Sequence, residues 1–379
     1  MHKKKLFIVT TVPTSLIFFK GQIEVLKREF DVTLISSPEK LLFQTAADYK
    51  VNQHPVVMKR EISIIYDILS LVKLIAYFLK EKPNMVHGNT PKGSFLSMTA
   101  AWICRVPSRV YYVHGLRYQG TSGFKRKLLM TMERICCYFA TDIIAVSKGV
   151  KRTLIKDAIS NKKVKIIWNG SINGIDLKHF SPKNPELKDI RNEYNISEND
   201  FVFGFVGRLV GDKGVNEMVH SFDKINALHK NTRLLLIGNF ENELDPLRED
   251  TLEIIANNEM ILEAGVQDDV RSYLKAMDLF VFPSYREGFG IVLMEAAAMS
   301  IPAISSDITG CNEIIQNNRT GFLIPPKDEN ALFEKMKYCI ENPDEIKIMA
   351  ALARKTMRSK YEQNQVWEKV IEKYREIIL

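Results

Sequence analysis

Leu279-Phe280-Val281-Phe282-Pro283-Ser284-Tyr285-Arg286-Glu287-Gly288-Phe289-Gly290-Ile291-Val292-Leu293-Met294-Glu295-Ala296-Ala297-Ala298 falls into three pieces joined without a break. The apolar run 279–283 lacks polar alternation, as a strand buried on both faces should. A loop with glycines at 288 and 290 follows, and a helical stretch then runs through Ala298. A strand that opens through a glycine loop into a helix is half of a βαβ unit. Free amides at a helix start, approached closely past glycines, bind anions. Ligands of open parallel sheets bind at the carboxyl ends of strands. This loop can therefore hold a pyrophosphate. Glu287 in the loop and Glu295 in the helix add carboxylates, and a carboxylate that accepts two hydroxyl hydrogen bonds suits a ribose diol.

The same alternation extends in both directions. Apolar runs at 201–207, 234–238, 260–265 and 303–305 read as strands, with helical segments at 214–229, 268–276 and 290–299. An earlier series has strands at 6–9, 32–36, 85–87, 109–114 and 143–146, and helices at 62–82, 93–104 and 124–139. Between the series, 168–185 is rich in Asn, Gly and Pro, which mark a linker. A chain of 379 residues exceeds the size of one growing core. Two α/β domains are expected, 1–172 and 173–361. The amphipathic segment 362–379 closes the chain as a terminal helix.

Composition excludes other classes. A hydrophobic fraction of 46% with 26% charged residues is that of a globular protein, not of a disordered or fibrous one. The five cysteines, Cys104, Cys136, Cys137, Cys311 and Cys339, show neither metal-ligand nor redox spacing, and a reduced cytoplasmic setting fits them. The basic start Met1–Lys5 precedes an apolar run too short for a signal peptide. Asp67 and Lys73 interrupt the apolar stretch 62–79, so a core-facing helix is expected there rather than a membrane span. Charge is uneven. Residues 1–180 hold 29 Lys and Arg against 12 Asp and Glu, whereas 181–379 hold 24 against 33. A basic first half can face a phosphorylated substrate or an anionic membrane. Phosphates are also the sequence-neutral part of nucleic acid, but no nucleic-acid-binding motif accompanies the charge.

A second motif follows the strand at 201–207: Gly207-Arg208-Leu209-Val210-Gly211-Asp212-Lys213-Gly214. Arg208 and Lys213 fall in the loop at that strand's carboxyl end. Two cations there can neutralise a diphosphate leaving group as its charge develops.

Together, the 287–295 segment, Gly207-Arg208 with Lys213, and Asn173-Gly174-Ile175-Asp176 at the linker resemble the family-4 retaining glycosyltransferases of GT-B fold. The resemblance spans nearly the whole chain and is most specific in its second half. It implies two Rossmann-like domains facing a cleft, with the last helix crossing back to the first domain. It implies that Arg208 and Lys213 hold the donor diphosphate and that Glu295 holds the ribose. Glu287 would contact the transferred sugar, Gly288, Phe289, Gly290 and Ile291 would meet the phosphates, and Val266 the nucleobase. In the first half, the loops His87-Gly88-Asn89-Thr90-Pro91-Lys92-Gly93 and His114-Gly115-Leu116-Arg117 look like those of polysaccharide-assembly members, which extend lipid-diphosphate-linked sugars in capsule or lipopolysaccharide synthesis. His114 matches a histidine close to the donor sugar. Lys92 and Arg117 are charges that either meet an acceptor pyrophosphate or are simply solvated. The first loop, 11–21, lacks the glycine pair many relatives carry.

The expected activity is retaining transfer from a nucleotide-diphosphate sugar, with uridine diphosphate the family's usual carrier, to a lipid-linked saccharide. No metal ligand set or other cofactor is expected, because Arg208, Lys213 and helix-start amides replace the metal. No protein nucleophile is nominated, and Glu287 is a positioning residue. Segment 123–130 mixes cations with large apolar residues; it reads either as a core helix with a solvated start or as peripheral contact with an anionic membrane at the inner face of the plasma membrane. The charge of the first half favours the latter, and nucleic acid is not an expected partner. Competing readings are a sugar-nucleotide epimerase of the same fold and a non-catalytic nucleotide-sugar-binding protein. A dinucleotide oxidoreductase is disfavoured, since no Gly-x-Gly-x-x-Gly follows the first strand.

Overall fold

The computed structural model describes residues 3–61, 63–241 and 245–378. Met1, His2 and Ile62, which entered the readings above, lie outside them. The chain divides into two compact units, Met1–Gly174 with Gln363–Leu379, and Ile175–Glu362.

The first unit holds seven strands: β1 (Lys4–Val9), β2 (Phe30–Ser36), β3 (Asn52–Pro55), β4 (Met85–Gly88), β5 (Ser108–Val113), β6 (Asp142–Ala145) and β7 (Val164–Lys165). Every neighbouring pair is parallel, in the order β3-β2-β1-β4-β5-β6-β7. The second unit holds β8 (Phe201–Val206), β9 (Thr232–Ile237), β10 (Ile261–Gly265), β11 (Leu279–Phe282), β12 (Ala303–Ser306) and β13 (Gly321–Ile324). These are again parallel, in the order β10-β9-β8-β11-β12-β13. Both orders are of the Rossmann type, and each reverses once, between β1 and β4 and between β8 and β11. Crossovers leave in opposite directions there and open a crevice at the carboxyl ends of those strands.

The central strands explain the burial. Phe203 and Phe205 on β8 and Phe280 on β11 are fully enclosed, because helices cover both faces of a parallel sheet. Two glycines set how closely the loops approach. Gly214, at φ +72°, lies so near β11 that a Cβ on it would sit 2.2 Å from the Pro283 carbonyl oxygen. A Cβ on Gly238, at φ +145°, would sit 1.8 Å from the Gly207 carbonyl oxygen. No side chain fits at either position, so the loops after β8, β9 and β11 touch through backbone.

The last helix, Gln363–Ile378, packs within the first unit. Its Tyr374 hydroxyl meets His87 Nδ1 at 2.6 Å, and Trp367 Nε1 donates to Asn173 Oδ1 at 2.7 Å.

The helix expected over the apolar stretch is present and core-facing, along one side only. The helix over the apolar stretch, Ile64–Glu81, faces the core only through Ser70, Leu74 and Phe78. Ile64, Ile65, Ile68, Leu69 and Val72 are exposed. The stretch is apolar around most of its circumference, and a helix on the face of a sheet can bury only one side.

Candidate active site

In the second unit the candidate residues Arg208, Lys213 and Glu287 gather where the strand order reverses. Lys213 follows β8 and Glu287 follows β11, and Lys213 Nζ lies 2.5 Å from Glu287 Oε1. The buried Ser284 hydroxyl, also after β11, donates to the same oxygen at 3.1 Å. Lys213 Nζ is 5.4 Å from the centre of the Phe282 ring, a cation–π distance that holds the ammonium over the strand end. Arg208 leaves the same loop, is half exposed, and pairs with Glu241 at 2.6 Å.

A residue without an assigned role knits these loops together. Asp212 accepts from Arg286 Nε and Nη2 at 3.1 and 2.8 Å, and its carbonyl accepts the Tyr285 amide at 2.9 Å. Its own amide donates to Asp245 at 2.5 Å. Lys213 and Glu287 are thus held from two strands by a shared brace. Asp212 lay inside the quoted loop, but its partners are 33 and 74 residues away, and no local pattern reveals them.

The loop 287–290 runs into the helix Ile291–Ala298. No side chain caps this helix and no acidic residue sits in its first turn, so its positive dipole end remains for a ligand. Of its first amides, Ile291 donates to the Phe289 carbonyl at 2.9 Å and Leu293 to the Gly290 carbonyl at 3.0 Å, while Val292 has no partner among the described residues. Phe289 is buried edge-on against Tyr361, with ring centroids 5.6 Å apart, and anchors the loop from beneath. Gly288 presses its carbonyl against Gly310. Glu295 keeps part of its surface in solvent, yet surrounding protein pushes its carboxyl up to about 7. It accepts no hydrogen bond from the described residues, so its lone pairs are open to an incoming donor. Val266 stands just past β10 and is 69% exposed, an apolar surface at a strand's carboxyl end.

In the first unit, His114 follows β5 between two rings, Phe18 at 5.1 Å and Tyr112 at 5.0 Å. Burial pushes its imidazole down to about 3, so it is neutral at physiological pH. Asn89, at the end of β4, fixes the tautomer. Its Nδ2 points at the carbonyls of Val9 and His87, which turns Oδ1 toward His114 Nε2 at 3.1 Å. Nε2 therefore carries the proton and Nδ1 is the acceptor. Lys92 is turned inward. Its ammonium bonds the Glu61 carbonyl and pairs with Asp67 at 2.8 Å, with 7% of the side chain exposed. Arg117 is exposed and pairs with no carboxylate among the described residues.

Residues 187–356 match the family described as Glycosyl transferases group 1, and residues 23–171 match Glycosyltransferase Family 4. The chain is 36% identical to CapM of Staphylococcus aureus, a capsular polysaccharide biosynthesis glycosyltransferase, over 99% of this chain and 97% of that one. It is 30% identical, over 81% and 79%, to the Escherichia coli UDP-Gal:alpha-D-GlcNAc-diphosphoundecaprenol alpha-1,3-galactosyltransferase. Among solved structures, Anabaena HepE in complex with UDP-glucose superposes with a TM-score of 0.81 at 18% identity, covering 99% of this chain and all of that one. This likeness places the fold among GT-B proteins. Two Rossmann-type sheets and two family matches that together span most of the sequence make the chain a member of the family-4 glycosyltransferases.

Proposed function

We propose that the chain transfers a sugar, with retention at the anomeric carbon, from a uridine-diphosphate sugar to a lipid-diphosphate-linked saccharide during assembly of a cell-surface polysaccharide. The observation that carries the reading is the grouping of Lys213, Glu287 and the uncapped helix Ile291–Ala298 where β8 and β11 diverge. A diphosphate seated there meets an ammonium, the positive end of the helix with its open Val292 amide and, from the same loop, the Arg208 guanidinium. As the bond from the anomeric carbon to the diphosphate oxygen breaks, negative charge grows on the diphosphate, and these groups stabilise it. The acceptor oxygen bonds to the same face of the sugar and its proton passes to the departing diphosphate. Lys213 and Arg208 supply the charge a metal ion supplies elsewhere, so transfer is metal-independent.

Glu295 accepts from the ribose hydroxyls, Val266 packs against the base, and Glu287 orients the transferred sugar. In the first unit His114 contacts the donor sugar through a neutral ring, and Arg117 meets the acceptor's diphosphate. Lys92 is left out of that role because its ammonium is committed to Glu61 and Asp67. The lipid acceptor and the uridine carrier are drawn from the E. coli relative, whose name states both. The same acceptor implies work at the cytoplasmic face of a membrane. Neither named relative supports an epimerase or a non-catalytic protein.

The test is a screen of radiolabelled nucleotide sugars against undecaprenyl-diphosphate-linked acceptors, with and without chelator. Transfer from a uridine-diphosphate sugar, unaffected by chelator and with the anomeric configuration kept, is expected. Sugar released or epimerised without acceptor overturns the transferase chemistry, and loss of transfer in chelator overturns the metal-free mechanism.

A further inference from the structure

The helix Ile64–Glu81 presents an apolar stripe to solvent. Ile64 is 73% exposed, Ile65 74%, Ile68 55%, Leu69 53% and Val72 57%. At helical spacing these five positions form one stripe along the first turns, opposite the side that buries Leu74 and Phe78. A helix that is apolar on both sides is normally enclosed by protein or by lipid. Among the described residues, no helix is long and apolar enough to cross a membrane. The stripe therefore suits lying on a bilayer rather than passing through one.

The surroundings are basic. Lys59 and Arg60, just before the helix, are exposed, and Lys59 Nζ sits 3.7 Å from the centre of the Tyr66 ring. At the head of the helix Gly123–Phe139, Phe124 is 80% exposed and is followed by exposed Lys125, Arg126 and Lys127. The two helices lead from β3 and β5 of one parallel sheet, so both heads lie along its carboxyl edge. The helix Pro91–Ile103 packs against both, and Lys92 at its head is tied to Asp67 in the first turn of Ile64–Glu81. Asp67 is thus already neutralised, and Glu61 is the exposed acid beside the stripe. Asn89, His114 and Arg117 follow strands β4 and β5 at the same edge.

We propose that this edge of the first unit is a docking surface for an anionic lipid bilayer. The apolar stripe and Phe124 enter the acyl boundary, and the flanking lysines and arginines lie over lipid phosphates. The proposal deepens the functional reading, on which it rests for its purpose: a lipid-linked acceptor would be met from the bilayer where Arg117 and His114 stand. The surface itself is defined by exposure and charge.

The experiment is sedimentation of the full chain with phosphatidylcholine vesicles, with and without phosphatidylglycerol. Binding is expected on the anionic vesicles, weakened by salt. Ile65→Asp with Leu69→Asp, and separately Lys125→Glu with Arg126→Glu and Lys127→Glu, should each lower bound protein about tenfold. Both should keep the parent melting temperature, because the altered side chains are exposed. Both should also keep turnover on a short, water-soluble acceptor while losing it on a bilayer-embedded one. Binding of the double aspartate variant equal to that of the parent overturns the proposal. So does a dimer in sedimentation velocity that this variant abolishes, since the stripe would then cover a second copy. Vesicle binding that persists where no nucleotide sugar is ever transferred supports the surface and counts against the functional reading.

Discussion

Lys213 Nζ and Glu287 Oε1 stand 2.5 Å apart, joining the loops that leave the two strands where the order of the second sheet reverses. The pair keeps each charge neutralised until a donor arrives. In the proposed reaction a diphosphate would draw the ammonium toward itself and free Glu287 to accept from sugar hydroxyls, so that one exchange would couple phosphate binding to sugar positioning.

Lys213→Ala is therefore expected to lower kcat by roughly 10²–10³-fold, the scale of a lost oxyanion donor. Glu287→Gln should lower kcat, because an amide keeps the shape and loses the ionic acceptor, and should lower the melting temperature as well, because the Lys213 ammonium, 18% exposed, loses its ionic partner. Steady-state kinetics on both variants check this. Unchanged kcat in Lys213→Ala removes the diphosphate assignment.

Arg208 makes a different kind of pair. It is 45% exposed and its partner Glu241 29%, so the ion pair is worth well under about 1 kcal/mol to the fold. Arg208→Ala should leave the melting temperature within error and cost about 10²-fold in kcat. Glu241→Gln should do the reverse, lowering the donor KM a few-fold by releasing the guanidinium. A donor KM that rises in Glu241→Gln contradicts that competition.

The architecture was legible because buried parallel strands are apolar without interruption. The runs that became β8 and β11 stand out, and the carboxyl-end loops follow from them. The short edge strands were not legible. Asn52-Gln53-His54-Pro55 is polar because β3 lies at the sheet's margin, and β7 is two residues long. The outward stripe on Ile64–Glu81 was not legible for a related reason: apolarity alone does not say whether protein or another medium covers it. In the site, the loops and their charges could be read from glycine spacing. The pairings Lys213–Glu287, Arg208–Glu241 and Lys92–Asp67 join residues 74, 33 and 25 positions apart, and the fold alone brings these together.

Glu295 gives a pH signature. Burial raises its carboxyl from 4.5 to about 7, so the protonated form is the one the empty fold prefers. Ionising it in the folded state costs stability, and that loss accumulates as pH rises from the unfolded value to the folded one. Glu295→Gln should therefore gain stability over the parent between about pH 5 and about pH 8, by about 1–2 kcal/mol at the upper end. Donor binding should run the other way. If ribose hydroxyls donate to the carboxylate, donor affinity of the parent rises through pH 7, whereas Glu295→Gln binds weakly and without that rise. Calorimetric titration of nucleotide sugar across this range is the measurement. A parallel pH profile in the two proteins counts against the ribose assignment.

Lys92 separates bracing from binding. Its side chain is 7% exposed, and Asp67, its partner, is 19% exposed and also accepts the Ser63 amide at 3.1 Å. Lys92→Met leaves that carboxylate mostly buried with one donor remaining. Breaking a buried pair from one side costs about 3–5 kcal/mol, and the retained amide and partial exposure place this case nearer about 2. Replacing both partners, Lys92→Met with Asp67→Leu, removes the stranded charge and should recover most of the loss. A bracing residue affects melting temperature and leaves the acceptor KM of the folded variant near the parent's. An acceptor-binding residue raises that KM about tenfold or more, in the double variant as well, without requiring any change in melting. Melting curves and acceptor KM, measured together on the single and double variants, distinguish the two roles; bracing is the expected outcome.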